Sequence, residues 1–292
     1  MEYMEFLDRV KDAINEAEDD VSVSIHSAVK NNGVVLSGLS FHREGYNASP
    51  TIYMENYYND YQNGTDICEI AKRIVLLYRA NDLAAKLDMS FFDDFERVKE
   101  RLFIKLINKD KNIDFLKEVP YEDFLDLAIV AYVRINDRKI GNGIIMVRNE
   151  HLALWKTDAA TVLDTARKNT HDCDGYNLKH ILDVLSAMGT YPPPGVDDKD
   201  FPMYVATNRK MINGAAVLTM KDKLREFANI IGSDYYVIPS SVHELILVKK
   251  SDGAVYDIDR IIREVNSTQL GPDDVLSDHA YMYSLKDEVL IF

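Results

Sequence analysis

A chain of 292 residues, 47% hydrophobic and 28% charged, is long enough to bury a core without covalent staples, as one large domain or two small ones. Its 48 acids against 34 bases leave a formal net charge of −14, a sign that repels phosphate backbones and anionic lipid and argues against nucleic acid or a membrane as partner. Two cysteines, Cys68 and Cys173, make no disulfide framework, no window has the apolar run of a membrane span, and the acidic N-terminus lacks a signal peptide's basic start; together these point to a cytoplasmic protein.

The spacing of Phe6, Leu7, Val10 and Ile14 predicts an amphipathic helix over residues 3–17. Val21, Val23, Ile25 and Val29 then alternate, Asn32-Gly33 supplies a turn, and residues 34–41 read as a second strand. Asn-Gly between alternating segments is a strong hairpin signal. Beyond Pro50 a tyrosine-rich stretch, IYMENYYNDYQNG, leads to a helix over 66–82 capped by Thr65, a helix over 90–100 and a strand over 102–107.

From Phe124 the pattern turns to strands. Residues 124–135 are strongly apolar, and Asn142-Gly143 opens a strand running through Val147. Residues 151–169 read as mostly helical with Asp158 as an internal cap, and a helix over 176–188 is stopped by Tyr-Pro-Pro-Pro-Gly at 191–195. In the last third, 203–206 is a strand, Asn213-Gly214 a turn, 215–218 a strand, and 220–231 a helix ending at Gly232. Strands at 235–239 and 243–249, a helix over 255–266 and strands at 280–284 and 288–292 close the chain.

Two segments resemble each other. AYVRINDRKIGNGIIMVRN and MYVATNRKMINGAAVLTM both run from a Tyr-Val strand through a basic turn to Asn-Gly and a second apolar strand, with a helix behind. They read either as a duplicated hairpin-plus-helix unit or as two hairpins alike by chance. Hairpins interleaved with helices argue for an α+β fold with antiparallel sheet. The expected organisation is a single unit over 1–292, within which an N-terminal subdomain 1–120 and a sheet-containing subdomain 121–292 can be distinguished.

Familiar chemistry is scarce. No GxGxxG follows a strand, and GxxxxGK[ST], HExxH and paired CxxC are absent, so no cofactor is expected. Asn108, Asp110, Asn112 and Asp114 alternate like a calcium loop, but Ile113 and Val119 stand where glycine and a bidentate glutamate are needed. His171, Cys173 and His180 are the candidate metal ligands, against the reading of a polar loop entering a helix.

The segment Ser240-Ser241-Val242-His243-Glu244 offers hydroxyls, an imidazole and a carboxylate. Ser240, Ser241, His243 and Glu244 are therefore the catalytic candidates for a hydrolase. On an extended strand, however, Ser241 and His243 stand roughly 7 Å apart, and Glu244 faces away. The alternative is a bend whose side chains satisfy backbone groups. Tyr53, Tyr57 and Tyr61 recur every four residues with Tyr58 beside them, which marks a partner surface or the core side of a helix.

The blocks NNGVVLSGLSF, SPTIYMENYYNDYQNG, VPYEDFLDLAIVAYV, SDYYVIPSSVHELILV and QLGPDDVLSDHAYMY lie in order between about residues 31 and 283. On these the chain resembles an uncharacterised bacterial family, domain of unknown function 5688, found in gut-dwelling anaerobes. The resemblance implies one continuous unit and agrees with a cytoplasmic protein. It assigns no activity, so no residue role comes with it. The leading expectation is a non-enzymatic binding or regulatory protein acting through protein–protein contacts, with a hydrolase around Ser240, Ser241 and His243 as the alternative.

Overall fold

Phe6, Leu7, Val10 and Ile14 recur at helical spacing, and in the computed structural model they form the fully buried stripe of α1 (Tyr3–Ala17). The structure describes residues 1–47, 50–81, 88–137, 141–191, 202–239, 241–250 and 258–292. The chain divides into two units, residues 1–92 with 134–144 and residues 93–133 with 145–292. Among the described residues the fold is α+β, with antiparallel sheets of three, four and six strands.

In the first unit, burial of each large apolar side chain of α1 contributes about 1.5–3 kcal/mol. The stripe packs on a meander of β1 (Ser22–Val29), β2 (Val35–His42) and β3 (Thr51–Tyr53). Asn32 takes the left-handed conformation at the β1–β2 turn (φ 59°). Gly38 lies opposite Tyr53 in the β2–β3 register. A Cβ there would come within 2.6 Å of Thr51 Cγ2 and 2.8 Å of the Ile52 carbonyl, so only glycine lets β3 approach.

The outer edge of β1 is closed at Val23. Its N–H donates to Asn15 Oδ1 (2.8 Å), and Asn15 Nδ2 donates back to the Val23 carbonyl (3.4 Å). A side-chain amide thus takes the place of a ladder partner. Beyond the sheet come α2 (Glu55–Gln62) and α3 (Ile67–Asn81). Asp66, not Thr65, caps α3: its carboxylate accepts from the Cys68 N–H (2.8 Å), a stronger acceptor than a hydroxyl.

The second unit opens with a helix much shorter than the expected 90–100. One turn, α4 (Phe95–Val98), is capped by Asp94, which accepts from Glu96 N–H (3.0 Å). An aspartate bonding forward to the backbone starts a helix and does not continue one. Next come β4 (Leu102–Asn108), α5 (Ile113–Leu116), β5 (Tyr121–Phe124), β6 (Leu127–Asp137) and β7 (Gly141–Met146), residues 134–144 of the last two being assigned to the first unit. Strand β6 lies between β4 and β5 and also pairs with β7. Two helices follow, α6 (Asn149–Trp155) and α7 (Ala159–Asn169), parted by Lys156 in the left-handed region (φ 53°). Asp158 caps the second, accepting from Thr161 N–H (2.8 Å). Thr170 ties its end to β4: its hydroxyl accepts from Ile104 N–H (2.9 Å) and donates to the Ala166 carbonyl (2.8 Å).

Residues 176–188 are not one helix. They split into β8 (Asn177–His180) and α8 (Ile181–Ala187), because β8 finds a ladder partner in β9 (Met203–Thr207). Of the Pro-rich stop at 191–195, residues 192–195 lie outside the described residues. Then come α9 (Lys221–Ile231), β10 (Tyr235–Ile238), β11 (Leu245–Lys249), α10 (Ile258–Thr268), β12 (Tyr281–Ser284) and β13 (Val289–Ile291). The six-stranded order is β13-β12-β10-β11-β9-β8.

The predicted strand at 215–218 is instead a 3-10 turn, Gly214–Thr219, with every residue buried. Strand β9 is flanked by β8 and β11, so no edge remains for a strand folded back upon it. The duplicated hairpin-plus-helix unit therefore does not exist: β6 pairs with β7, while the matching segment after β9 forms no hairpin. Four aromatic rings pin α9 to the sheet. Tyr204 meets Phe227 at 5.1 Å, Phe227 meets Tyr235 at 4.8 Å, and Tyr235 stacks on Tyr283 at 5.1 Å.

Asn15→Ala removes both bonds that close the β1 edge and should lower stability by about 1–2 kcal/mol in urea unfolding; an unchanged midpoint would mean that water serves Val23 equally well.

Candidate functional site

Strand β9 ends at Thr207, and the next residue builds the loop behind it. Asn208 is only 2% exposed. Its Oδ1 accepts from Lys210 N–H (3.0 Å) and Ile212 N–H (3.4 Å), while Nδ2 donates to the Ile212 carbonyl (2.8 Å). Arg209 N–H donates to the Asp174 carbonyl (3.0 Å), and Lys210 Nζ lies 3.7 Å from the buried Asp174 carboxylate. Met211 (φ 54°) and Asn213 (φ 52°) are both left-handed. For a methionine this conformation costs roughly 1–2 kcal/mol, so the surrounding bonds must hold it.

The loop is closed from the other side by the bend between β10 and β11. Asn213 N–H donates to His243 Nδ1 (3.1 Å), and His243 Nε2 lies 3.3 Å from Asp274 Oδ1. Thr207 Oγ1 donates to the His243 carbonyl (2.7 Å), and Val242 N–H donates to the Asp274 carbonyl (2.9 Å). A Cβ at Gly214 would collide with Thr207 Oγ1 and the His243 carbonyl. The assembly presents Arg209, Lys210, Met211 and Ile212 to solvent, the last two 63% and 46% exposed.

Three of the four catalytic candidates lie among the described residues. Ser240 lies outside the described residues. Ser241 is buried, and its hydroxyl accepts from the His243 N–H (3.0 Å). Glu244 is exposed, and its carbonyl accepts from Ser241 N–H (3.4 Å). Residues 241–244 form a bend and no strand, so the spacing expected of an extended strand does not apply. His243 Nδ1 is an acceptor, so the ring proton sits on Nε2 and faces Asp274. Neither nitrogen is left to take a proton from a hydroxyl.

The tyrosines turn inward. Tyr53, Tyr57, Tyr58 and Tyr61 are all partly buried. Tyr58 and Tyr61 pack at 5.2 Å and 5.3 Å from Phe6 of α1. Lys30 covers Tyr53 at 4.4 Å, and Arg73 covers Tyr57 at 5.7 Å. Tyr57, Tyr58 and Tyr61 of α2 pack against the core of the first unit, while Tyr53 ends strand β3 and is no part of the helix.

The candidate metal ligands point to separate tasks. His171 Nε2 bonds Thr219 Oγ1 (3.0 Å), and burial holds its pKa below the ordinary histidine value. His180 Nδ1 caps α8 by accepting from Leu182 N–H (3.2 Å), and Cys173 is exposed. Among the described residues no group of three or more His, Cys, Asp or Glu could hold a metal ion.

One polar constellation escaped the sequence reading. Asp126 accepts from Tyr281 Oη at Oδ1 (2.7 Å) and from Ser277 Oγ at Oδ2 (3.4 Å), and His279 Nε2 lies 3.5 Å from Oδ2. Ser277 Oγ is 3.2 Å from His279 Nδ1. The available signals were an acid inside an apolar run and the alternation Ser277, His279, Tyr281. Ser277 is fully buried, so this cluster fastens the approach to β12 and exposes no nucleophile.

DUF5688, a family of unknown function, matches residues 3–285. The chain belongs to this family. No curated protein and no solved structure matches it. Membership in DUF5688 names no chemistry.

In this DUF5688 chain, Gly214→Ala should destabilise the fold by about 3 kcal/mol in urea unfolding. His243→Ala should keep the fold and speed hydrogen exchange at the Asn213 amide by about tenfold; unchanged exchange would show that the ring does not secure the loop.

Proposed function

We propose that this DUF5688 member is a cytoplasmic, non-enzymatic binding protein that acts through protein–protein contacts, with residues 208–213 as its docking element. The observation that carries the reading is the bracing of this loop. A buried asparagine, a histidine ring and a buried acid hold two left-handed non-glycine residues, and the outcome is a backbone of fixed shape that carries four exposed residues. Binding residues sit on loops positioned by a rigid scaffold, and a pre-ordered loop loses little entropy on association.

Charge defines the partner. In a chain of net charge −14, this loop offers Arg209 beside Met211 and Ile212, with Lys210 turned to the buried Asp174. Its complement is an acidic protein surface with apolar side chains. The hydrolase alternative finds less support, because His243 has no nitrogen free for Ser241. Among the described residues no helix is long and apolar enough to cross a membrane.

A photo-crosslinking residue placed at Met211 in the producing cell tests this. The expected result is one dominant protein adduct that disappears when Arg209→Glu is added. An adduct pattern identical to that from the same probe at Ile230, an exposed position on α9, would overturn the proposal.

A further inference from the structure

Between the β5–β6 turn, the start of α9 and the β12–β13 turn lies a cavity of about 310 Å³. Phe124, Leu125, Leu218, Leu224 and Leu290 are among its apolar lining. Leu125 (φ 57°) and Glu288 (φ 55°) both line it in the left-handed conformation. Such backbone, costly for a leucine, recurs at ligand sites, where the surrounding fold holds it in place.

Four polar side chains reach this cavity, and their pairing decides its chemistry. Asp123 is matched by Lys109 (2.6 Å) and Glu288 by Arg225 (3.5 Å). Lys221 makes no ion pair among the described residues, and the Tyr283 hydroxyl makes no hydrogen bond among them. Burial pushes the Tyr283 pKa up, so the phenol remains a donor. The uncompensated polar groups of an apolar cavity are thus one ammonium and one hydroxyl donor. A carboxylate is the group suited to accept from such donors.

We propose that this cavity binds a small carboxylic acid with an apolar body, its carboxylate received by Lys221 Nζ and Tyr283 Oη and its body by the leucine walls. A volume of about 310 Å³ stands at the lower end for ligand pockets, roughly 300–1,000 Å³, so the acid is short. Octanoate is a fitting probe. The site is independent of residues 208–213 and of the partner they bind.

The test is ligand-observed NMR titration of octanoate and octanol into the wild-type chain, Lys221→Met and Tyr283→Phe, with near-ultraviolet circular dichroism to confirm the fold. Saturable octanoate binding should weaken about tenfold in Lys221→Met, equivalent to 1.4 kcal/mol, and about threefold in Tyr283→Phe. Octanol should bind the wild type and Lys221→Met alike. Absence of saturable octanoate binding, or octanoate affinity unchanged in folded Lys221→Met, would overturn the assignment. Arg209→Glu should leave octanoate affinity unchanged, which separates this site from the docking loop.

Discussion

A fully buried 3-10 turn, Gly214–Thr219, lies within the larger unit, and the polar groups of such a turn have to be satisfied away from water. The surrounding residues can be read as answers to that requirement. Ala215 N–H donates to the Val242 carbonyl (3.1 Å), Asn213 N–H to the His243 ring, and Thr219 Oγ1 to the Ala216 carbonyl (2.7 Å). Thr207, His243 and Gly214 interlock so closely that a single Cβ has no room. The exposed loop at 208–213 is the outer end of the same arrangement, and this gives it a fixed shape.

The same accounting explains why residue types that suggest catalysis serve structure here. A histidine ring can accept one backbone N–H and direct its own proton at a carboxylate, as His243 does, and a serine hydroxyl can close a bend, as Ser241 does. Asp126 gathers Tyr281, Ser277 and His279 in the same manner. Buried polar groups of this kind specify one arrangement, since each lost partner leaves a desolvated atom behind. In the smaller unit the comparable device is Asn15, which completes the edge of β1, while aromatic rings fill the space over α1.

Local signals located most elements. Helix α1, the β1–β2 hairpin, the Asp158 cap, the Gly232 stop of α9 and the two closing strands were legible from periodicity, capping chemistry and turn residues. Misreadings arose where a remote partner decided. Residues 177–180 became a strand because β9 lay beside them, and 215–218 failed to become one because β9 had no edge left. Of the site, the bend at 241–244 and the basic turn at 208–214 were each visible, but nothing local says that they meet. Asp126 and Ser277 are 151 positions apart in the chain, beyond the reach of any spacing argument.

By itself the sequence determined the acidic charge, the α+β class, most element positions and membership in a family of unknown function, because each follows from composition, short-range periodicity or ordered blocks of residues. Only the tertiary structure decided which histidine nitrogens are occupied, that the tyrosine stripe faces the core, and that Arg209, Lys210, Met211 and Ile212 are presented on a braced loop. The physical reason is that a side chain's role depends on what fills its hydrogen-bonding positions and covers its surface. Those neighbours come from segments that only folding brings together.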